Sequence, residues 1–111
     1  MTIITIERKH DGLIRSFKIS GHAFFDDAGH DIVCAGISSV SIGTINALHA
    51  ICDIDAEEHT IIDEESAYLH YRLPEKLSEN QMQKAQVILE AMVVSLKTIE
   101  ESYGENVTVY E

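Results

Sequence analysis

The sequence is poor in the residues that define several large functional classes. Eight Lys and Arg stand against nineteen Asp and Glu, a net charge of −11 with His counted neutral. Affinity for a phosphate backbone rests mainly on Lys and Arg contacts, so direct nucleic-acid binding is not expected. Only two cysteines occur, Cys34 and Cys52, and they form no CxxC pair. A disulfide scaffold of this length carries more, so both are expected as free thiols in a reducing cytoplasm. Residues 1–8 alternate polar and apolar side chains and lack the apolar run of a secretory signal. No window reaches the ~18 apolar residues of a membrane span, so membrane insertion is not expected either. Pro74 is the only proline, and no linker, repeat or low-complexity tract interrupts the chain.

What is present is enough for one core. The 111 residues are 45% hydrophobic, which fits a single domain over 1–111. A chain this short buries only about two-thirds of its unfolded surface, so a partner subunit would add stability.

Hydrophobic period sets the elements. Residues 2–8 and 13–20 read as strands joined at Asp11-Gly12, a strong hairpin signal because glycine tolerates positive φ. Alternation puts Leu13, Arg15, Phe17 and Ile19 on one face and Ile14, Ser16, Lys18 and Ser20 on the other. Residues 21–31 break every period and form a loop. From about 32 to 52, Ile37, Val40, Ile45, Leu48 and Ile51 follow helical steps, with small residues between them. Residues 60–62 and 67–73 read as a second strand pair, closed by Pro74. Ser78 and Gln81 make a capping box for a helix running to Tyr103, with Met82, Ala85, Leu89, Met92, Leu96 and Ile99 on one stripe. Gly104 is placed for a left-handed cap, and 107–110 is a last strand. The order ββαββαβ predicts an α+β two-layer sandwich: a mainly antiparallel sheet with two helices packed on one face.

Reactive side chains concentrate in one stretch. His22, Asp26, Asp27, His30, Asp31 and Cys34 lie in the loop and at the helix start. A cysteine in a first helical turn sits among unsatisfied amides that favour an anion, and the thiolate is the nucleophile. A nearby imidazole stabilises that thiolate and later protonates a leaving amine. His22 follows Gly21 at a strand end and is the better candidate; His30 lies beside Gly29 in the loop. Asp31 either caps the helix or orients His22. Ser38 lies one turn beyond Cys34 and either points its hydroxyl at the sulfur or permits close packing. Cys52 has no such surroundings and reads as core. Phe24 and Phe25 either anchor the loop or flank a groove. His22, His30 and Cys34 could ligate zinc, but their spacing matches no tight ligand pair, so neither a metal nor another cofactor is expected. The acids at 53, 55, 57, 58 and 63–65 form a solvated face or a landing surface for a cationic segment.

The run Gly21-His22-Ala23, followed by Gly29-His30-Asp31-Ile32-Val33-Cys34-Ala35-Gly36-Ile37-Ser38, resembles the signature of the ribosomal-processing cysteine protease family, Prp. Gly36 stands where many members carry alanine. The resemblance covers essentially the whole chain. It implies a bacterial cytoplasmic endopeptidase with a Cys34–His22 dyad and a mobile loop at 23–30. It further implies homodimers, and as substrate the short N-terminal extension of a basic large-subunit ribosomal protein. In this reading Cys34 attacks the scissile carbonyl, amides at the helix start receive the oxyanion, and His22 protonates the amine. The competing reading is a non-enzymatic ribosome-assembly factor that grips a basic protein through its acidic face.

Overall fold

Thr2, Ile4 and Ile6 alternate with Ile3, Thr5 and Glu7, and in the computed structural model they form the buried row of strand β1 (Thr2–Arg8). The structure describes residues 1–27 and 29–111; Ala28, inside the loop expected at 21–31, lies outside the described residues. Gly12, at φ 91°, turns the chain into β2 (Ile14–Ser20), antiparallel to β1. The simple alternation expected for β2 fails at its start. Glu7 pairs with Ser16 but Arg8 pairs with Ile14, so Arg15 is an extra, bulged residue. The bulge turns Ile14 inward to 1% exposure and leaves Arg15 outside.

The remaining strands are β3 (Thr60–Asp63), β4 (Tyr68–Arg72) and β5 (Val107–Tyr110). Across the sheet the order is β3-β4-β2-β1-β5, with every pair antiparallel except β1 and β5. The architecture is thus the expected α+β sandwich with a mixed sheet. Register places Ile4, Ile19, Leu69 and Ile62 in one cross-strand row, and Ile6, Phe17, Tyr71 and Thr60 in the next. Phe17 and Tyr71 stack at 5.6 Å between ring centroids in the middle of the core.

Two long helices pack together over this face, α1 (Ile32–Cys52) and α3 (Glu79–Tyr103). A third, the single turn α2 (Ala56–His59), was not expected from the sequence. It forms because Asp55 Oδ2 accepts the Glu58 N–H at 2.8 Å, so one member of the acidic run is a helix cap. The buried stripe of α1 is Val33, Ile37, Ile45, Leu48 and Cys52, whereas Ile51 falls off it and is exposed. Although α1 has the length and apolarity to cross a membrane, contrary to the sequence expectation, this stripe is packed in the core. Asp53, at φ 57°, ends α1 in the left-handed conformation.

The capping box of α3 forms as expected: Gln81 N–H donates to Ser78 Oγ at 3.1 Å, and Ser78 N–H to Gln81 Oε1 at 2.9 Å. Gly104 is not left-handed; its φ is −60°. A Cβ added there would lie 3.2 Å from the Glu100 carbonyl oxygen, a tight contact.

Candidate active site

The site is built where β2 hands the chain to α1. Gly21 makes the turn at φ 85°, and a Cβ there would lie 2.5 Å from the Met1 carbonyl oxygen. Its N–H donates to Ala67 O at 2.9 Å and its carbonyl accepts from Thr2 Oγ1 at 3.3 Å. Ala23, two residues on, is 2% exposed, and Asn106 Nδ2 donates to its carbonyl at 3.0 Å. His22 therefore projects to solvent between two residues fixed from three neighbouring elements.

Cys34 is the third residue of α1 and is half-buried. Its Sγ accepts the Ala23 N–H at 3.3 Å; among the described residues no hydrogen bond joins it to His22. Asp31 is the N-cap. Its Oδ1 accepts from Val33 N–H at 2.9 Å and Cys34 N–H at 3.0 Å, and its backbone oxygen accepts from Ala35 N–H at 3.0 Å. Its Oδ2 accepts from Phe25 N–H at 3.0 Å and Asp26 N–H at 3.4 Å, tying the loop to the helix. The Cys34 amide, then those of Phe25 and Asp26, hold the Asp31 carboxyl below the usual aspartate range. Asp31 thus acts as a cap, with no bond to His22 among the described residues. One expectation changes as a result: the first-turn amides that were to face an oxyanion are already engaged by Asp31.

Two cavities meet at the sulfur. One lies between α1 and the β3–β4 edge, walled by Ile19, Ile37, Ile42, Ile62 and Leu69, with Asp63 and Glu64 also lining it. The other lies beneath the loop, bounded by Phe24, Asp26, Gly29, Asp31 and Ala35. His22, Cys34 and Ser38 line both. An extended chain laid through the two cavities passes an imidazole, a thiol and a hydroxyl at their junction. Such a groove, apolar with a few convergent polar groups, is the usual form of a peptide or small-molecule site.

Four further residues find their places. His30 lines neither cavity; its N–H donates to Asp27 O at 2.9 Å. The two phenylalanines divide the roles foreseen for them. Phe25 sits edge-on to Tyr103 at 5.3 Å and anchors the loop, whereas Phe24 is 74% exposed, at φ 57°, edge-on to His22 at 5.9 Å. Cys52 is core at 3% exposure, and burial pushes its thiol pKa up. Among the described residues no three His, Cys, Asp or Glu side chains gather closely enough to hold a metal ion. The Ala23 N–H and Asn106 escaped sequence reasoning, since a backbone amide leaves no residue-type signal and Asn106 lies far along the chain.

Comparison with known proteins gives a consistent result. A family model described as Cysteine protease Prp matches residues 1–108. The ribosomal processing cysteine protease Prp of Bacillus subtilis is 42% identical over 105 residues, covering 95% of this chain and 92% of that protein. The protein of the same name from Staphylococcus aureus is 37% identical over 108 residues, covering 96% and 95%. A crystal structure of S. aureus Prp with a covalently linked product peptide superposes with a TM-score of 0.85, at 34% identity over 99% of this chain and 98% of that one. A second S. aureus Prp structure, with a substrate peptide, gives 0.79 at 33% identity over the full length of both chains.

Proposed function

The chain belongs to the Prp family of cysteine proteases, and from that premise we propose that Cys34 is its nucleophile and His22 its acid–base partner. The observation that carries the assignment is the meeting of the two cavities at these side chains, with the sulfur in the first turn of α1. The Cys34 thiolate attacks the scissile carbonyl carbon, forming a C–S bond as the carbonyl π pair moves to oxygen. Collapse of that tetrahedral species breaks the C–N bond, and the His22 imidazolium gives its proton to the leaving amine. Water, losing a proton to His22, then attacks the thioester; the acid product leaves and the thiolate–imidazolium pair returns. Asp31 supports this chemistry by holding the helix start and the loop together. Ser38 supports it as a hydroxyl-bearing residue that lines both cavities.

The substrate is the short N-terminal extension of a basic large-subunit ribosomal protein. The name carried by the relatives supports this, as does the peptide bound to the S. aureus protein. The acidic side of the first cavity and the net charge of −11 favour encounter with a basic chain. A cytoplasmic homodimer is the form in which it acts. In support, a chain of 111 residues buries only about two-thirds of its unfolded surface, so a partner subunit adds stability. Incubation with the extended ribosomal protein, read by mass spectrometry, should give a new N-terminus on the partner. A stoichiometric complex with an intact partner would instead favour the assembly-factor reading. Cys34→Ala should abolish cleavage with the fold retained, and cleavage by that folded variant would end the nucleophile assignment.

A further inference from the structure

We propose that the Ala23 backbone N–H is the oxyanion donor of this site, and that Asn106 is the positioning residue that holds it there. The inference rests on Cys34 being the nucleophile. Stabilising a tetrahedral oxyanion requires donors about 2.7–3.1 Å from the oxygen, fixed before the reaction begins. The usual source in a thiol protease of this geometry would be the helix start, but Val33, Cys34 and Ala35 N–H are bound to Asp31. Recruiting them would break the cap of α1. Among the described residues, the one N–H aimed at the reacting atom is that of Ala23, 3.3 Å from Cys34 Sγ.

Its chemistry follows the movement of charge. In the resting state the N–H meets the sulfur, where the negative charge of a thiolate resides. As the C–S bond forms, that charge passes to the carbonyl oxygen bonded to the same carbon, and the sulfur becomes a weak thioether acceptor. A donor already in contact with the sulfur is within a small shift of the new oxyanion. It therefore strengthens its bond during the step, which is what accelerates a reaction.

Asn106 makes this donor rigid. It lies 83 residues from Ala23 in sequence, yet its Nδ2 holds the Ala23 carbonyl at 3.0 Å. Asn106 is itself fixed on both sides: its carbonyl accepts the Thr2 N–H at 2.9 Å, and its N–H donates to Tyr103 O at 2.8 Å. The turn between α3 and β5 thereby reaches back to the residue following His22. Gly21 is pinned by Ala67 and Thr2, and Thr2 also holds Asn106, so one network fixes both ends of the Gly21–Ala23 segment.

The test removes one hydrogen. Cys34 is a natural ligation junction, so a synthetic segment 1–33 with the Ala23 amide replaced by an ester can be joined to 34–111, beside an all-amide control. The expected result is a kcat lowered about 100-fold with KM nearly unchanged, the cost of one oxyanion donor. Asn106→Asp keeps the shape but cannot donate to Ala23 O. It should lower kcat about tenfold with KM nearly unchanged, the effect of one misplaced hydrogen bond. A folded ester protein with the kcat of the control overturns the inference. If the ester protein does not fold, an Asn106→Asp protein with unchanged kcat overturns it. Cys34→Ala run in parallel separates the two levels: turnover by that variant removes the nucleophile assignment, whereas a silent Cys34→Ala beside a fully active ester removes only the donor.

Discussion

Replacing Gly21 by alanine strikes the hinge that presents His22, and its cost can be worked from the backbone. Gly21 has φ 85°, and an L-residue held in left-handed space loses roughly 1–2 kcal/mol. The new Cβ would also stand 2.5 Å from the Met1 carbonyl oxygen, a backbone atom that cannot swing aside. Relief requires displacing the start of β1, which disturbs the Thr2 hydroxyl bond to Gly21 O and the Thr2 N–H bond to Asn106 O. Losing one such bond adds about 1 kcal/mol. The total of roughly 2–3 kcal/mol corresponds to a fall in Tm of about 10–15 °C for a domain near this size. Gly12 supplies the control, with φ 91° and no atom within 4 Å of an added Cβ. Gly12→Ala should show the strain alone, roughly 1–2 kcal/mol, with full activity below its Tm. Thermal unfolding and turnover on the extended peptide, measured on both variants, decide the matter. A Gly21→Ala protein as stable as Gly12→Ala and equally active would refute the reasoning.

The other expectations are independent of that hinge. His22→Ala should lose turnover while keeping the wild-type Tm; normal turnover would shift the acid–base role to His30. Because the folded Asp31 carboxyl titrates below its unfolded value of about 3.9, its contribution to stability is complete above that pH. It should vanish as pH falls through the folded pKa, so the Tm difference between wild type and Asp31→Ala should shrink on acidification; a constant difference would contradict the cap. Burial pushes the Tyr71 hydroxyl up to about 12, so stability should fall as pH rises from about 10 through that value. No described group pairs with this hydroxyl, and Tyr71→Phe should remove the alkaline loss and gain about 1 kcal/mol in denaturant unfolding. Glu64→Lys should raise KM for a basic substrate several-fold at low salt and little at high salt; an unchanged KM at both would show that this side of the cavity does not meet the basic segment.

Much of the fold was legible because the signals were local. The Asp-Gly turn, the Ser78–Gln81 capping box and the helical stripe ending at Leu96 and Ile99 depend on side chains a few positions apart. The misreadings arose where distant partners intervened. The bulge at Arg15 is a property of its pairing with β1, not of its own alternation. Ile51 left the core because α1 packs through the 37–45–48–52 stripe, one step around the helix. The placement of Cys34 and His22 followed from a strand end, a glycine and a helix start, so the candidate dyad could be named in advance. The Asp31 cap was readable from spacing, but its second use, gathering the Phe25 and Asp26 amides, required the loop conformation. Ala23 and Asn106 were invisible, because one acts through its backbone and the other across 83 residues.

The central claim is a covalent one: during turnover the acyl half of the substrate rides on a single sulfur. Acid-quenching the reaction with an excess of the extended peptide and mapping the protein by mass spectrometry tests it most directly. The account predicts a thioester adduct on the fragment bearing Cys34, absent from Cys34→Ala and never found on Cys52. Product accumulating while Cys34 stays unmodified at every quench time, or an adduct on any other residue, would contradict it.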